Sequence, residues 1–418
     1  MKLKIFSRLR RNKFIIFLAI LGPGIIASNA GNDAGGIATY SIAGAREGLR
    51  FLWLLFLITF ILAIVQEMSA RMGVVTGKGL ADLIRERFGV KITLLSMLLL
   101  LFGNLAVTIS EFAGIAASLE LFGVSRYISV PLGALLIWAL VVKGSYRGVE
   151  RVMLFFCIIY ASYIVSGILA KPQWLHIMSQ LVTPNFRYDP KFINLSIAVI
   201  GTTIAPWMQF YLQSAVVDKG IKVEEYKYAK VDVYLGSFVT DFIAFFIVVA
   251  AATTLYANQV DINSASDAAL ALKPLAGEYC FILFGIGLLN ASILSAIILP
   301  LTTAYALSEA FGWESGIGKK FSEAPQFLSF YTVFIIIGAF FVIVPSYNLI
   351  TIMFFAQTVN GILLPIILFI MLRLINDRQI MGEHVNSRFS NILSGGTAIM
   401  LVILTILLIV STFKPDLF

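Results

Sequence analysis

The chain has 418 residues, of which 59% are hydrophobic and 13% charged, with a formal net charge of +8. A mean hydropathy of +0.91 is more apolar than a water-soluble fold can cover, so composition excludes a soluble globular protein and describes an integral membrane protein. The positive balance follows the loops and does not call for a nucleic-acid partner: 23 of the 31 Lys and Arg residues fall in 2–13, 71–91, 143–151, 219–230, 319–320 and 373–388, all cytoplasmic if the N-terminus is inside.

Apolar stretches of about 20 residues predict eleven helical spans, at 14–43, 51–73, 92–122, 127–145, 152–170, 193–215, 231–257, 278–306, 329–346, 347–374 and 393–414. An odd number of spans places the C-terminus outside, and the chain is expected to be a multi-pass protein of a plasma membrane. The basic stretch 2–13 and the apolar run ending at Asn29-Ala30 also have the form of a signal peptide. Cleavage there would discard half of the feature that gives the rest of the chain its symmetry, so 14–43 is read as a span.

That feature lies in the first span, where Asn29-Ala30-Gly31-Asn32-Asp33-Ala34-Gly35-Gly36 interrupts an otherwise greasy helix. Broken backbone at membrane depth leaves amides and carbonyls unpaired, which is tolerated where it lines a cavity or binds something. Asp33 adds a carboxylate at a depth where a charge costs about 2.5 kcal/mol or more. With Asn29, Asn32 and unwound carbonyls around it, Asp33 reads as a hard-oxygen cation site. Farther on, Glu67 falls toward the cytoplasmic end of the second span and reads as a solvated or interfacial charge. Glu111, in mid-span 3, is either an acidic attractor or proton carrier on the ion path or a protonated carboxyl bonded to a neighbouring helix.

The sixth span carries the second interruption, Gly201-Thr202-Thr203-Ile204-Ala205-Pro206-Trp207. Asp241 in the seventh span poses the same choice as Glu111. Gln209, Gln213, Asn290, Gln357 and Asn360 are neutral polar residues within spans 6, 8 and 10; most read as interhelical hydrogen bonds, with Gln209 and Gln357 the better site candidates. Cys157 and Cys280 read as packing. His176 and His384 are expected in loops on opposite sides, so no catalytic triad can be assembled in the membrane, and the metal motifs CxxC and HExxH are absent. Enzyme chemistry is excluded on that basis, and no cofactor is expected.

The two breaks open two blocks of five spans, 14–170 and 193–374, with 393–414 left over. Because five is odd, the blocks run in opposite directions through the membrane. Such inverted repeats place a substrate site where two broken helices meet near the midplane. The whole chain, 1–418, is one transporter domain, expected to act as a monomer in the lipid bilayer without an obligate protein partner.

Gly22-Pro23-Gly24, Asp33-Ala34-Gly35-Gly36 and Ser69-Ala70-Arg71-Met72-Gly73-Val74-Val75-Thr76-Gly77-Lys78 resemble the first two spans of the Nramp family of divalent metal transporters. Tyr146-Arg147-Gly148-Val149-Glu150, Lys171-Pro172-Gln173-Trp174 and the stretch from Asn360-Gly361 through Asn376-Asp377-Arg378 extend the likeness over nearly the whole chain. The resemblance implies a LeuT-like fold, with spans 1 and 6 broken and the cargo a divalent cation. Departures from the family pattern are specific. Where the family has D-P-G-N, this chain keeps Asp33 but has Ala34 for Pro and Gly36 for the metal-binding Asn. Where the family has M-P-H, it has Ala205-Pro206-Trp207, and the span-3 Asp of the proton route falls on Thr108 while the Glu is kept as Glu111.

Losing a thioether lowers discrimination against hard ions, and small residues at 36 and 205 widen the site. Mg²⁺ commonly keeps several waters and touches one or two carboxylates. The pattern resembles the NRAMP-related magnesium transporters, which carry Mg²⁺ and Mn²⁺ without evident proton coupling. On that reading Asp33 is the anchor, carbonyls near Ala30 and Thr202 add oxygens, Gly36 and Ala205 make room, and Glu111 draws the ion in. Asn32, Trp207, Gln209, Gln357 and Asp241 are secondary candidates. Two other readings stay open: a proton-coupled Mn²⁺/Fe²⁺ importer with different ligands, and a sodium-coupled organic-solute carrier, which Asp33 disfavours because it would repel a carboxylate.

Overall fold

Helices occur over every expected span in the computed structural model, which describes residues 22–413 apart from 145, 160, 170, 274–276, 278–279 and 345–347. The basic segment 2–13 and the start of the first span lie outside the described residues. In chain order the helices are α1 (Pro23–Asn29), α2 (Ala34–Glu47), α3 (Leu52–Thr76), α4 (Leu80–Glu120), α5 (Arg126–Val142), α6 (Tyr146–Ile159), α7 (Ala161–Leu169), α8 (Trp174–Val182) and α9 (Pro190–Thr203). They continue as α10 (Pro206–Asp218), α11 (Tyr226–Thr254), α12 (Ala265–Ala269), α13 (Cys280–Phe311), α14 (Pro325–Ile343), α15 (Leu349–Ile375), α16 (Arg378–Met381) and α17 (Arg388–Phe413). Among the described residues, eight segments are long and apolar enough to cross a membrane.

Three differences from the sequence reading have local causes. The third span begins twelve residues early, at Leu80, because a helix packs there first and turns into the membrane at Gly89, whose φ of 74° is open to glycine and strained for other residues. His176 lies in the short amphipathic helix α8 instead of a loop. Glu67 is not solvated: it is buried, its Oε2 accepts from Arg71 Nη2 at 3.1 Å, and its Oε1 accepts from the Tyr226 hydroxyl. Arg71 also donates to the carbonyls of His384 and Val385 at 3.1 Å, tying α3 to the connection before α17.

The central stretch of span 6 (α9 and α10) is wholly buried, whereas α17 is mostly uncovered by protein. Around that centre α11 packs on α1, α2 and α3, and α15 packs on α4, α9 and α2. Between α9 and α15 the backbones touch. A Cβ on Gly201 would run into Gly361 N and Gln357 O, and one on Gly361 into Ile197 O. Small residues allow this approach, which in lipid replaces the hydrophobic drive of water. Its consequence is positional, because it sets Gln357 of α15 beside the first break.

One anchor was not anticipated. Asp232 of α11 accepts from Gly22 N at 3.1 Å and Gly24 N at 2.6 Å, so a neighbouring helix caps the start of α1. Pro23, at the first helical position, leaves fewer donors to satisfy.

Candidate metal centre

Both interruptions fall where the residue chemistry places them. After Asn29 the chain leaves the helix, and Asp33, in extended conformation, caps α2 by accepting from Gly36 N at 2.5 Å. In the second break α9 stops at Thr203, because Pro206 has no N–H to give an α-helical bond and its ring fits only the first turn of α10. The C-terminal ends of α1 and α9 therefore meet at one gap, to which the first break brings the Gly31 carbonyl and α9 the Thr202 hydroxyl, at helix ends whose partial negative charge suits a cation.

Gly36 shows where the oxygens converge. The point where a Cβ would stand lies 2.6 Å from Gly31 O, 3.0 Å from Thr202 Oγ1 and 3.3 Å from Asp33 Oδ1. A backbone carbonyl, a hydroxyl and a carboxylate, drawn from both breaks, thus converge beside Gly36 closely enough that no side chain fits there. The Thr202 hydroxyl is 3.4 Å from Gly31 O, which links the breaks directly.

Asp33 is held from the opposite side. Gln357 Nε2 lies 3.0 Å from Asp33 Oδ1 and 3.2 Å from Oδ2, and Asn360 Nδ2 donates to Gln357 Oε1 at 3.1 Å. Gly35 makes this possible, since a Cβ there would overlap the Gln357 amide. Glu111 of α4 completes the end of α2: its Oε2 accepts from Ala34 N at 3.1 Å, while Oε1 is buried without a hydrogen-bond partner. Neither Asp33 nor Glu111 belongs to an ion pair found among the described residues. Two buried carboxylates without a basic partner need either a proton or a bound cation to offset their charge.

The other expected residues sort by contact. The Ala30 carbonyl already accepts from Ser295 Oγ at 3.0 Å, and the neighbouring carbonyl of Gly31 is the one in the gap. Thr202 contributes its hydroxyl there. Ala205 caps α10 with no side chain to offer, and Trp207 is fully buried with its Nε1 unpaired. Gln209 accepts from Ser69 Oγ at 3.2 Å and its Nε2 lies 3.5 Å from Ala205 O, an interhelical role. Asn32 donates to Thr240 O at 2.9 Å, tying the first break to α11. Asp241, one residue farther along α11, faces a cleft between α3 and α11. Thr108 donates to Asn104 O at 2.7 Å.

The sequence reading passed over Met208. Its methyl fills the space that a side chain on Gly31 would need, bringing a thioether-bearing side chain against the first break. The signal was available, since Met208 follows Ala205 by three residues and shares its helix face. Among the described residues no three His, Cys, Asp or Glu side chains cluster as a metal site. The gap is therefore made of one or two carboxylates with neutral oxygens.

Residues 24–411 match the family model described as Nramp, natural resistance-associated macrophage protein-like. The chain belongs to the Nramp family. Within it, a divalent metal cation transporter, MntH of Bacillus subtilis (strain 168), is 26% identical over 414 residues, covering 95% of this chain and 93% of that protein. Among solved structures, the manganese transporter of Eremococcus coleocola superposes with a TM-score of 0.80 at 20% identity, covering 95% of this chain and 88% of that one. MhsT in complex with L-phenylalanine superposes with a TM-score of 0.59 at 14% identity, covering 96% of this chain and 98% of that one. This Nramp protein accordingly has the all-helical LeuT-like fold. Its curated relatives are transporters, not enzymes.

Proposed function

We propose that this Nramp protein carries divalent metal cations across a cell membrane, with Mg²⁺ as principal cargo and Mn²⁺ accepted, and without an obligatory proton. The observation that carries the reading is the convergence of Gly31 O, Thr202 Oγ1 and Asp33 Oδ1 on the space left by Gly36. These are hard oxygens with a single carboxylate among them, the donor set that suits a cation retaining part of its water. The transport of divalent metal cations and manganese named for the B. subtilis and E. coleocola proteins supports the cargo class.

Each residue has a role in that reading. Asp33 supplies the charge, Gln357 and the α2 amides orient it, and Glu111 raises the local concentration of cations. Thr108 and Trp207 stand where the resemblance places proton acceptors, and neither an alcohol nor an indole takes up a proton near neutral pH. Inward flux of a divalent ion then draws on the membrane potential, about 2.3 kcal/mol per charge per 100 mV. Met208 favours a second reading, in which Mn²⁺ is preferred because a thioether from the second break reaches the first.

Uptake into proteoliposomes tests both readings. Saturable Mg²⁺ uptake that Mn²⁺ competes for, with no acidification of the lumen, is expected. Uptake of Mn²⁺ that excludes Mg²⁺ and brings protons with it would overturn the main reading in favour of a coupled manganese importer.

A further inference from the structure

Asp241 sits about midway along α11, 3% exposed, and neither carboxylate oxygen has a hydrogen-bond partner. The hydroxyl of Thr59 on α3 is its polar neighbour in the cleft and donates to Leu55 O at 2.8 Å. Asp241 is among the residues that line a cavity of about 270 Å³ on the flank of the molecule, its two oxygens buried in the wall, bounded by Phe56, Phe60, Phe238, Phe242 and Phe245 and covered by Met178 of α8. Three of these rings meet edge to face, Phe56 with Phe60 at 5.2 Å and Phe60 with Phe238 at 5.6 Å. Phe56, Phe60, Phe238 and Phe242 are each between 42% and 53% exposed, so the cavity opens where lipid would lie.

An ionisable residue in a transmembrane segment ordinarily faces the bundle interior or water and has a partner there. Asp241 has an apolar cleft instead, with no basic side chain among the lining residues. Aromatic faces around an acid form the environment that binds an organic cation, the rings through their negative faces and the carboxylate through its charge. The volume is close to the lower end of small-ligand pockets, roughly 300 Å³.

We propose that this cleft binds a lipophilic ammonium ion, a single positive charge carried on an apolar body, entering from the membrane. A phospholipid amine does not fit the depth: Asp241 lies thirteen residues from the end of α11 at Thr254, roughly 20 Å at 1.5 Å per residue, whereas headgroups stay at the interface. The site is connected to the transport pathway through the preceding residue, because Thr240 O accepts from Asn32 of the first break at 2.9 Å. An occupant wedged between α3 and α11 thereby restrains the helix that holds the break, and it slows flux without entering the metal centre.

Tetrabutylammonium is the probe. Titrated into the purified full chain it binds saturably, and it inhibits Mn²⁺ uptake in proteoliposomes in a way that raising Mn²⁺ does not relieve. Asp241→Asn keeps the shape and weakens probe binding at least tenfold. Phe242→Ala keeps the charge, opens one wall, and weakens binding severalfold, which guards against misfolding of the first variant. Absence of saturable binding, equal affinity in Asp241→Asn, or displacement of the probe by Mn²⁺ overturns the proposal. These outcomes do not depend on which divalent ion is carried.

Discussion

Gly36→Ala puts the account of the metal centre under direct load. Gly36 lies in the first turn of α2, so alanine suits the backbone there, and any effect must come from the added methyl. That methyl would stand 2.6 Å from Gly31 O, 3.0 Å from Thr202 Oγ1 and 3.3 Å from Asp33 Oδ1. An ordinary carbon–oxygen contact is wider than the first two, so the Gly31 carbonyl must withdraw or α2 must shift. Overpacking of this size costs about 1–3 kcal/mol. Because relief comes from moving a proposed ligand, the cost falls on metal binding, where it corresponds to a roughly 5- to 150-fold weaker affinity. The assay is Mg²⁺ and Mn²⁺ titration of the purified protein beside uptake in proteoliposomes, with the thermal midpoint as a control for folding. A folded Gly36→Ala protein with unchanged affinity for both ions would falsify the placement of the site.

Three further outcomes follow from the same geometry. Met208→Leu keeps the volume against Gly31 and removes the sulfur, so Mn²⁺ and Cd²⁺ should lose affinity relative to Mg²⁺; equal losses for all three in competition titrations would show that the thioether is not a ligand. Ala205→Met offers a soft donor from the cap of α10 and should raise Cd²⁺ affinity by roughly tenfold, the effect of about 1.4 kcal/mol; no gain in calorimetry would mean that position 205 does not face the ion. Asp232→Ala removes the two bonds that cap α1, each worth about 1.5–3 kcal/mol as a hydrogen bond to a charged group. It should lower the thermal midpoint and expose a cysteine placed at Ile25 to aqueous maleimide, and unchanged labelling would show that α1 is held by other contacts.

Much of this protein could be read from residue types. The breaks were visible because Gly, Pro and Asp are unwelcome inside an apolar helix, and Asp33 stood out because a charge there needs a reason. The bond from Gln357 to Asp33 joins residues 324 positions apart, and it exists because glycines at 35, 201 and 361 let helices close to backbone contact. No local pattern announces such a pairing. The choice of Gly31 over Ala30 as the carbonyl in the gap depends on which peptide plane turns after Asn29, a matter of a single dihedral. Glu67 misled because a charge near a helix end is usually solvated, and here Tyr226 and Arg71, brought in by other segments of the fold, take it out of water. Met208 reads as an ordinary packing residue of an apolar helix, although it stands one turn beyond the vacated position at Ala205 and brings a thioether-bearing side chain back to the first break.

The most direct test of the account is metal uptake by Asp33→Asn. The substitution keeps the shape of the side chain and an oxygen for the Gly36 amide while removing the one carboxylate in the converging set. In proteoliposomes containing folded protein, Mg²⁺ and Mn²⁺ uptake should fall to the level of empty vesicles under an inside-negative potential. Uptake that persists near the unsubstituted rate would contradict the claim that the cation is held between the two broken helices by Asp33.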